Sequence, residues 1–307
     1  MSFSIYTAFP RGYCAGVHRA INMLQEIVNT YPVPIYVNHE IIHNQFVVRM
    51  FERKGVIFGK NINEIPEWSL MVLSAHGTGP NYLKELRAKK IRWIDATCPL
   101  VEKVHREARE AIDHWYHILY IWKAGHQEAI GILDEWEDHF ALIEKESDIS
   151  QISSEKQYII LTQTTLSVDD TRNIIDTIIE KYPSAILPNI SDICYATTNR
   201  QKAVKSLADE TDLIFVVWSK NSSNSSKLQL IAEKMGKKSY LIDGIEDINP
   251  LWLDNISSVG VTAWASGPEE LIQQVIEYLV NLGGTFEKEL RIVEEKVTFP
   301  YFLNIQS

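Results

Sequence analysis

Short apolar runs alternate with amphipathic stretches along the chain. The runs include residues 35–37, 70–73, 118–121, 158–161, 213–217 and 259–261. Continuous apolar segments of this length suit strands buried on both faces of a parallel sheet. Between them the apolar positions take helical spacing. Val17, Ile21, Leu24 and Val28 fall three or four residues apart, and Ala203, Leu207 and Ile231 sit in similarly patterned segments. A further helical pattern follows Glu270 and ends near Gly283-Gly284, after which comes a tail. Strand–helix alternation predicts an α/β protein with parallel sheets.

At 307 residues the chain has room for two or three domains. A content of 45% hydrophobic and 23% charged residues excludes a disordered or fibrous chain. The formal charge of −10 argues against general binding of nucleic acid or an anionic membrane. Any anionic ligand must therefore be held by local donors. No apolar run reaches the roughly 18 residues of a membrane span, and the opening residues lack a signal-peptide pattern, so the expected compartment is the cytoplasm. Three cysteines, Cys14, Cys98 and Cys194, are too few and too odd in number for a disulfide framework.

Polar clusters follow the apolar runs. Ser74-Ala75-His76-Gly77, Gly125-His126-Gln127-Glu128, Thr162-Gln163-Thr164-Thr165, residues 219–224 and residues 262–266 all come directly or shortly after a run. Ligands of open parallel sheets bind beyond the carboxyl ends of the strands, so this placement predicts one polar site built from several strand ends. The cysteines sit among glycine, proline and aspartate: Arg11-Gly12-Tyr13-Cys14-Ala15-Gly16, Asp95-Ala96-Thr97-Cys98-Pro99 and Asp192-Ile193-Cys194-Tyr195. Pro99 suits a first helical position and puts Cys98 at a helix N-terminus, where the dipole favours thiolate. Three readings stay open: buried structural cysteines, a zinc site with a histidine, or an iron–sulfur cluster. Three thiolates would leave the fourth iron of a 4Fe–4S cube open to substrate.

Eight stretches together resemble a known family. They are Pro10-Arg11-Gly12-Tyr13-Cys14-Ala15-Gly16-Val17, His39-Glu40-Ile41-Ile42-His43-Asn44, Ser74-Ala75-His76-Gly77, Asp95-Ala96-Thr97-Cys98-Pro99-Leu100-Val101, Gly125-His126-x-Glu128, Thr162-Gln163-Thr164-Thr165-Leu166-Ser167-Val168-Asp169-Asp170, Ile193-Cys194-Tyr195-Ala196-Thr197 and Lys220-Asn221-Ser222-Ser223-Asn224-Ser225. In this order the chain resembles the 4-hydroxy-3-methylbut-2-enyl diphosphate reductases. The resemblance implies three small parallel-sheet α/β domains in a pseudo-threefold arrangement around a central iron–sulfur site. Their expected ranges are 15–98, 99–194 and 195–285, the last with an N-terminal strand from 1–14, followed by a tail at 286–307.

The resemblance also implies one 4Fe–4S cluster per chain on Cys14, Cys98 and Cys194. The implied reaction is reductive dehydroxylation to isopentenyl and dimethylallyl diphosphate, the last step of the methylerythritol phosphate route. Electrons would come from flavodoxin or ferredoxin, and the chain has no Gly-rich dinucleotide fingerprint of its own. His43, His76, His126, Ser222, Ser223, Asn224 and Ser266 would surround the diphosphate. Glu128 would supply protons, because hydroxide is a poor leaving group, with Thr164 as relay and substrate contact. His39 is intermediate, and His105, His114, His117 and His139 read as ordinary helix or surface residues.

The chain departs from the family at several positions. Trp122, Trp218 and Trp264 stand where glycine is usual. His18, Asn38, Lys123, Gln127 and Gly267 also differ from the usual residues. An indole at a strand end either narrows the pocket or packs into a core. Two other readings remain: a non-redox hydratase that needs no electron donor, and a redox sensor that retains a cluster.

Overall fold

Three parallel sheets organise the chain in a computed structural model that describes residues 2–134, 137–153, 156–188, 190–217 and 225–307. The elements begin with β1 (Phe3–Phe9), α1 (Ala15–Thr30), β2 (Ile35–Val37), α2 (Gln45–Glu52), β3 (Val56–Phe58), β4 (Leu70–Leu73), α3 (Pro80–Ala88) and β5 (Arg92–Asp95). They continue with α4 (Pro99–Asp113), β6 (His117–Ile121), α5 (Gln127–Leu133), β7 (Phe140–Ile143), β8 (Tyr158–Thr162) and α6 (Val168–Lys181). The remainder is α7 (Tyr195–Glu210), β9 (Leu213–Val217), α8 (Ser225–Lys234), β10 (Lys238–Ile242), β11 (Ser258–Ala263), α9 (Glu269–Asn281) and β12 (Gly284–Arg291). By contact the chain divides into two compact units. One comprises the residues up to Val17, His43–Gln45 and Tyr195–Thr298, and the other His18–Ile42, Phe46–Cys194 and Phe299–Ser307.

The first unit carries the five-stranded sheet β10-β9-β11-β1-β12, parallel throughout. Side chains alternate across a strand, and β9 shows the result. Phe215 and Val217 join Val261, Ile272, Val275 and Leu279 in one core, while Ile214 and Val216 join Val204, Leu207 and Leu228 in another. Burying each such side chain stabilises the fold by about 1.5–3 kcal/mol. An all-apolar strand is therefore required where both faces are covered.

The second unit holds the four-stranded sheet β3-β2-β4-β5 and the three-stranded sheet β7-β6-β8, both parallel. Tyr36, Met71, Leu73, Leu86 and Trp93 form the core of the four-stranded sheet. On the three-stranded sheet, Ile118 and Tyr120 pack with Val104, Ala108 and Ile132, while Leu119 and Ile121 pack with Ile174 and Ile178. Proline opens α3 and α4 at a position whose missing N–H has no helical partner to lose. Ser167 caps α6 by accepting from Asp170 N. Among the described residues no helix is long and apolar enough to cross a membrane.

Candidate active site

Each cysteine immediately precedes a long helix. Cys14 lies before α1, Cys98 is the N-cap of α4, and Cys194 lies before α7. All three are half-buried and none is in a disulfide. Each is also tied by its backbone to a strand-end loop. Cys14 N donates to Ala265 O at 3.3 Å, Cys98 N to Ala75 O at 3.1 Å and Cys194 N to Thr164 O at 3.0 Å. These acceptors are Thr164 itself and the neighbours of Ser266 and His76. The fold therefore joins every cysteine to a loop that carries an expected substrate residue.

Within the second unit, Glu128 is 3% exposed and grips Thr164. Its Oε1 accepts from Thr164 N at 2.6 Å and its Oε2 from Thr164 Oγ1 at 3.0 Å. His126 caps α5, with Nδ1 accepting from Glu128 N at 3.3 Å. The His126 ring meets His76 edge-on, with centroids 6.2 Å apart. Ser74 Oγ lies 3.3 Å from His76 Nδ1. Asn38 holds this loop: its Oδ1 accepts from Ser74 N at 2.9 Å and His39 N at 3.0 Å. This unit thus gathers His76, His126, Glu128 and Thr164 around the ends of β4, β6 and β8.

Within the first unit, Asn44 Nδ2 donates to Ser266 O at 3.0 Å, which ties the His43 segment to the Ser266 loop. The Cys14 loop is clamped from α7. Arg200, fully buried, donates from Nε and Nη2 to Gly12 O at 3.0 and 2.6 Å and pairs with Glu295 at 3.0 Å. Tyr195 Oη accepts from Ala15 N at 3.3 Å. Burial, and then the nearness of Cys14, pushes the Tyr195 phenol up, so it stays protonated.

Sequence reasoning passed over several residues around these motifs. Lys103 joins Asp192 Oδ1 at 2.7 Å, and Asp192 Oδ2 accepts from Thr162 N at 2.9 Å. That pair braces the segment leading to Cys194 against α4 and the end of β8. Burial alone would lower the Lys103 ammonium, but hydrogen bonds to Asp192 and Glu107 hold it above its ordinary value. His105 was expected to be an ordinary helix or surface residue; it lies in α4 but is 3% exposed, with Nε2 unpartnered. Burial, and then Arg109, pushes it down to about 4. Arg19 donates from Nη1 to Thr97 O at 2.9 Å. Burial lowers its guanidinium, opposed by Asp95 and Cys98. A charged residue in a helical pattern ordinarily reads as a solvated face, so only the Gly77 and Asp192 neighbourhoods hinted at these roles.

Ser222, Ser223, Asn224 and Trp218 lie outside the described residues. Of the other two tryptophans, Trp264 is 3% exposed and packs with Ala8, Ala203 and Val204. Trp122 is partly buried against the Val104 and Tyr120 core. Both indoles fill cores.

Among the described residues no group of three His, Cys, Asp or Glu side chains is placed to hold a single metal ion. The donor chemistry nevertheless fits an iron–sulfur group. Three half-buried thiols at helix N-termini are soft anionic ligands. Beside Cys98, Arg19 Nε is an N–H sealed from solvent with no acceptor, as a buried anionic sulfur would require.

A family model described as LytB protein matches residues 5–280. The chain belongs to the LytB protein family. A 4-hydroxy-3-methylbut-2-enyl diphosphate reductase of Actinobacillus pleuropneumoniae serotype 3 (strain JL03) is 43% identical to this LytB-family chain over 301 residues, covering 96% of each. The solved structure of the E-1-hydroxy-2-methyl-but-2-enyl-4-diphosphate reductase from Plasmodium falciparum matches with a TM-score of 0.95 at 33% identity, over 99% of this chain and 96% of that one. A second solved structure, of (E)-4-hydroxy-3-methyl-but-2-enyl diphosphate reductase, the terminal enzyme of the non-mevalonate pathway, gives a TM-score of 0.66 at 29% identity over 91% and 99% of the two chains.

Proposed function

We infer that the chain is a 4-hydroxy-3-methylbut-2-enyl diphosphate reductase of the non-mevalonate isoprenoid route, converting its substrate to isopentenyl and dimethylallyl diphosphate. The observation that carries this reading is 43% identity to a curated reductase across 96% of both chains. The proposed cofactor is one 4Fe–4S cluster held by Cys14, Cys98 and Cys194, which would supply electrons and a Lewis-acid iron. The proposed electron donor is flavodoxin or ferredoxin, and the proposed compartment is the cytoplasm.

The chain's own residues would bind, orient and protonate. His43, His76, His126 and Ser266, with Ser222, Ser223 and Asn224, would hold the diphosphate by hydrogen bonds. This supports anion binding in a chain of charge −10 without a Lys/Arg patch. Glu128 is the proposed proton donor to the leaving hydroxyl, with Thr164 Oγ1 as the relay atom. Support for that role comes from the two Glu128–Thr164 hydrogen bonds at 2.6 and 3.0 Å, which fix the buried carboxyl. The reductase names of the relatives disfavour the hydratase and sensor readings.

The test is anaerobic reconstitution with iron and sulfide, followed by oxidation of reduced methyl viologen on adding the diphosphate substrate. Dye oxidation with release of both isoprenoid diphosphates is expected. A loaded protein that leaves the dye reduced would overturn the assignment.

A further inference from the structure

Arg19 places a cation beside Cys98, a candidate cluster ligand. Its Nη1 donates to Thr97 O at 2.9 Å, one residue before Cys98. Thr97 N is itself held by Asp95 Oδ1 at 2.8 Å, so the turn entering α4 is rigid and the guanidinium is fixed against it. Arg19 is half-buried, and its Nε has neither solvent nor an acceptor. The opposite charges that act on it are Asp95 and Cys98. A partly desolvated guanidinium with an orphaned N–H is costly. A neutral Cys98 thiol offsets little of that cost. An anionic sulfur cluster bound through Cys98 offsets more, and it also supplies an acceptor for the orphaned N–H.

We propose that Arg19 is a positioning residue whose fixed positive charge beside Cys98 raises the reduction potential of the iron–sulfur group. The proposal rests on the reductase reading above and adds to it a residue outside its ligand and substrate sets. One-electron reduction adds one negative charge to the group and makes or breaks no bond; the electron comes from an external low-potential carrier. A neighbouring cation stabilises the more negative state, as outer-shell charges and hydrogen bonds do at other iron–sulfur centres. The competing role is purely mechanical, with Arg19 serving only to brace the Thr97 carbonyl.

Charge and brace separate in two variants. Arg19→Lys keeps the charge, and Arg19→Gln keeps a donor for Thr97 O without the charge. The full-length protein is reconstituted anaerobically, its iron and sulfide are counted, and its midpoint potential is measured by dye-mediated titration followed by EPR. Arg19→Gln is expected to hold iron as the wild type does at a distinctly more negative potential, with Arg19→Lys near the wild-type value. Equal potentials in Arg19→Gln and the wild type would overturn the proposal. If Arg19→Gln loses its iron, Arg19→Lys decides. Recovery of iron at a wild-type potential supports the charge role, and iron loss in both variants assigns Arg19 to bracing alone. A wild-type protein that assembles no iron–sulfur signal would instead refute the reductase reading, so the two failures are told apart.

Discussion

Replacing Glu128 by glutamine isolates its proton from its packing. The carboxylate accepts two hydrogen bonds from Thr164, at 2.6 Å from N and 3.0 Å from Oγ1. Glutamine has the same shape. Its carbonyl can accept from Thr164 N, and its amide can donate to Oγ1 once that hydroxyl turns away. Two charge-assisted bonds of about 1.5–3 kcal/mol become neutral ones of about 0.5–1.5 kcal/mol, so stability falls by roughly 1–3 kcal/mol. A native margin of about 5–15 kcal/mol absorbs that loss, and thermal unfolding should move by only a few degrees. Loss of a group that can take up and deliver a proton acts on the rate instead. General acid catalysis contributes about 10²- to 10⁴-fold, or roughly 3–5 kcal/mol of barrier. Steady-state reduced-viologen oxidation should therefore drop by at least about 100-fold while iron and sulfide content stay unchanged. Turnover within twofold of wild type, at equal iron content, would remove Glu128 from proton delivery.

Three further predictions concern stability. His105 is held down to about 4 by burial and Arg109, below the 6.5 of an unfolded histidine, so the unfolded chain binds more protons in between. Its contribution is fully present above pH 6.5 and is lost as pH falls toward 4, by roughly 3 kcal/mol. Urea unfolding of His105→Phe across this range should show a flatter pH slope than wild type, and an identical slope refutes the account. Lys103→Met leaves the fully buried Asp192 carboxylate without its cation and should cost about 3–5 kcal/mol. The double variant Lys103→Met/Asp192→Asn should recover much of that in thermal unfolding, and no recovery would mean that Lys103 acts through packing alone. Gly77 has φ +87°, and an added Cβ would sit 2.7 Å from His105 Nε2. Gly77→Ala should cost about 2–4 kcal/mol from backbone strain and overpacking, and an unchanged melting temperature would refute this.

The strands legible in the sequence were mostly interior ones. Residues 35–37, 70–73, 118–121, 213–217 and 259–261 coincide with the interior strands β2, β4, β6, β9 and β11, and residues 158–161 with the edge strand β8. Of the strands that no apolar run named, β3, β5, β7, β10 and β12 are sheet edges and β1 is interior. An edge strand has one open flank and needs fewer apolar residues; β12 is mostly exposed along its length. The site was legible where chemistry clusters locally, as in His126-Gln127-Glu128. It was not legible where one charged side chain reaches across the fold. Arg200 meets Gly12 and Lys103 meets Asp192 over about a hundred residues or more, and no spacing rule links such positions.

β1 lies inside its sheet, flanked by β11 and β12. Its partners, Ser258–Ala263 and Gly284–Arg291, are among the later segments to leave the ribosome. At about 5–20 residues per second this first strand waits on the order of 10–50 s with both flanks bare. During synthesis its unpaired backbone and the apolar side chains of Phe3, Ile5 and Ala8 are targets for chaperones or for mispairing with neighbouring nascent chains. Expression yield should consequently depend on translation speed and temperature more steeply than the stability of the finished protein would suggest.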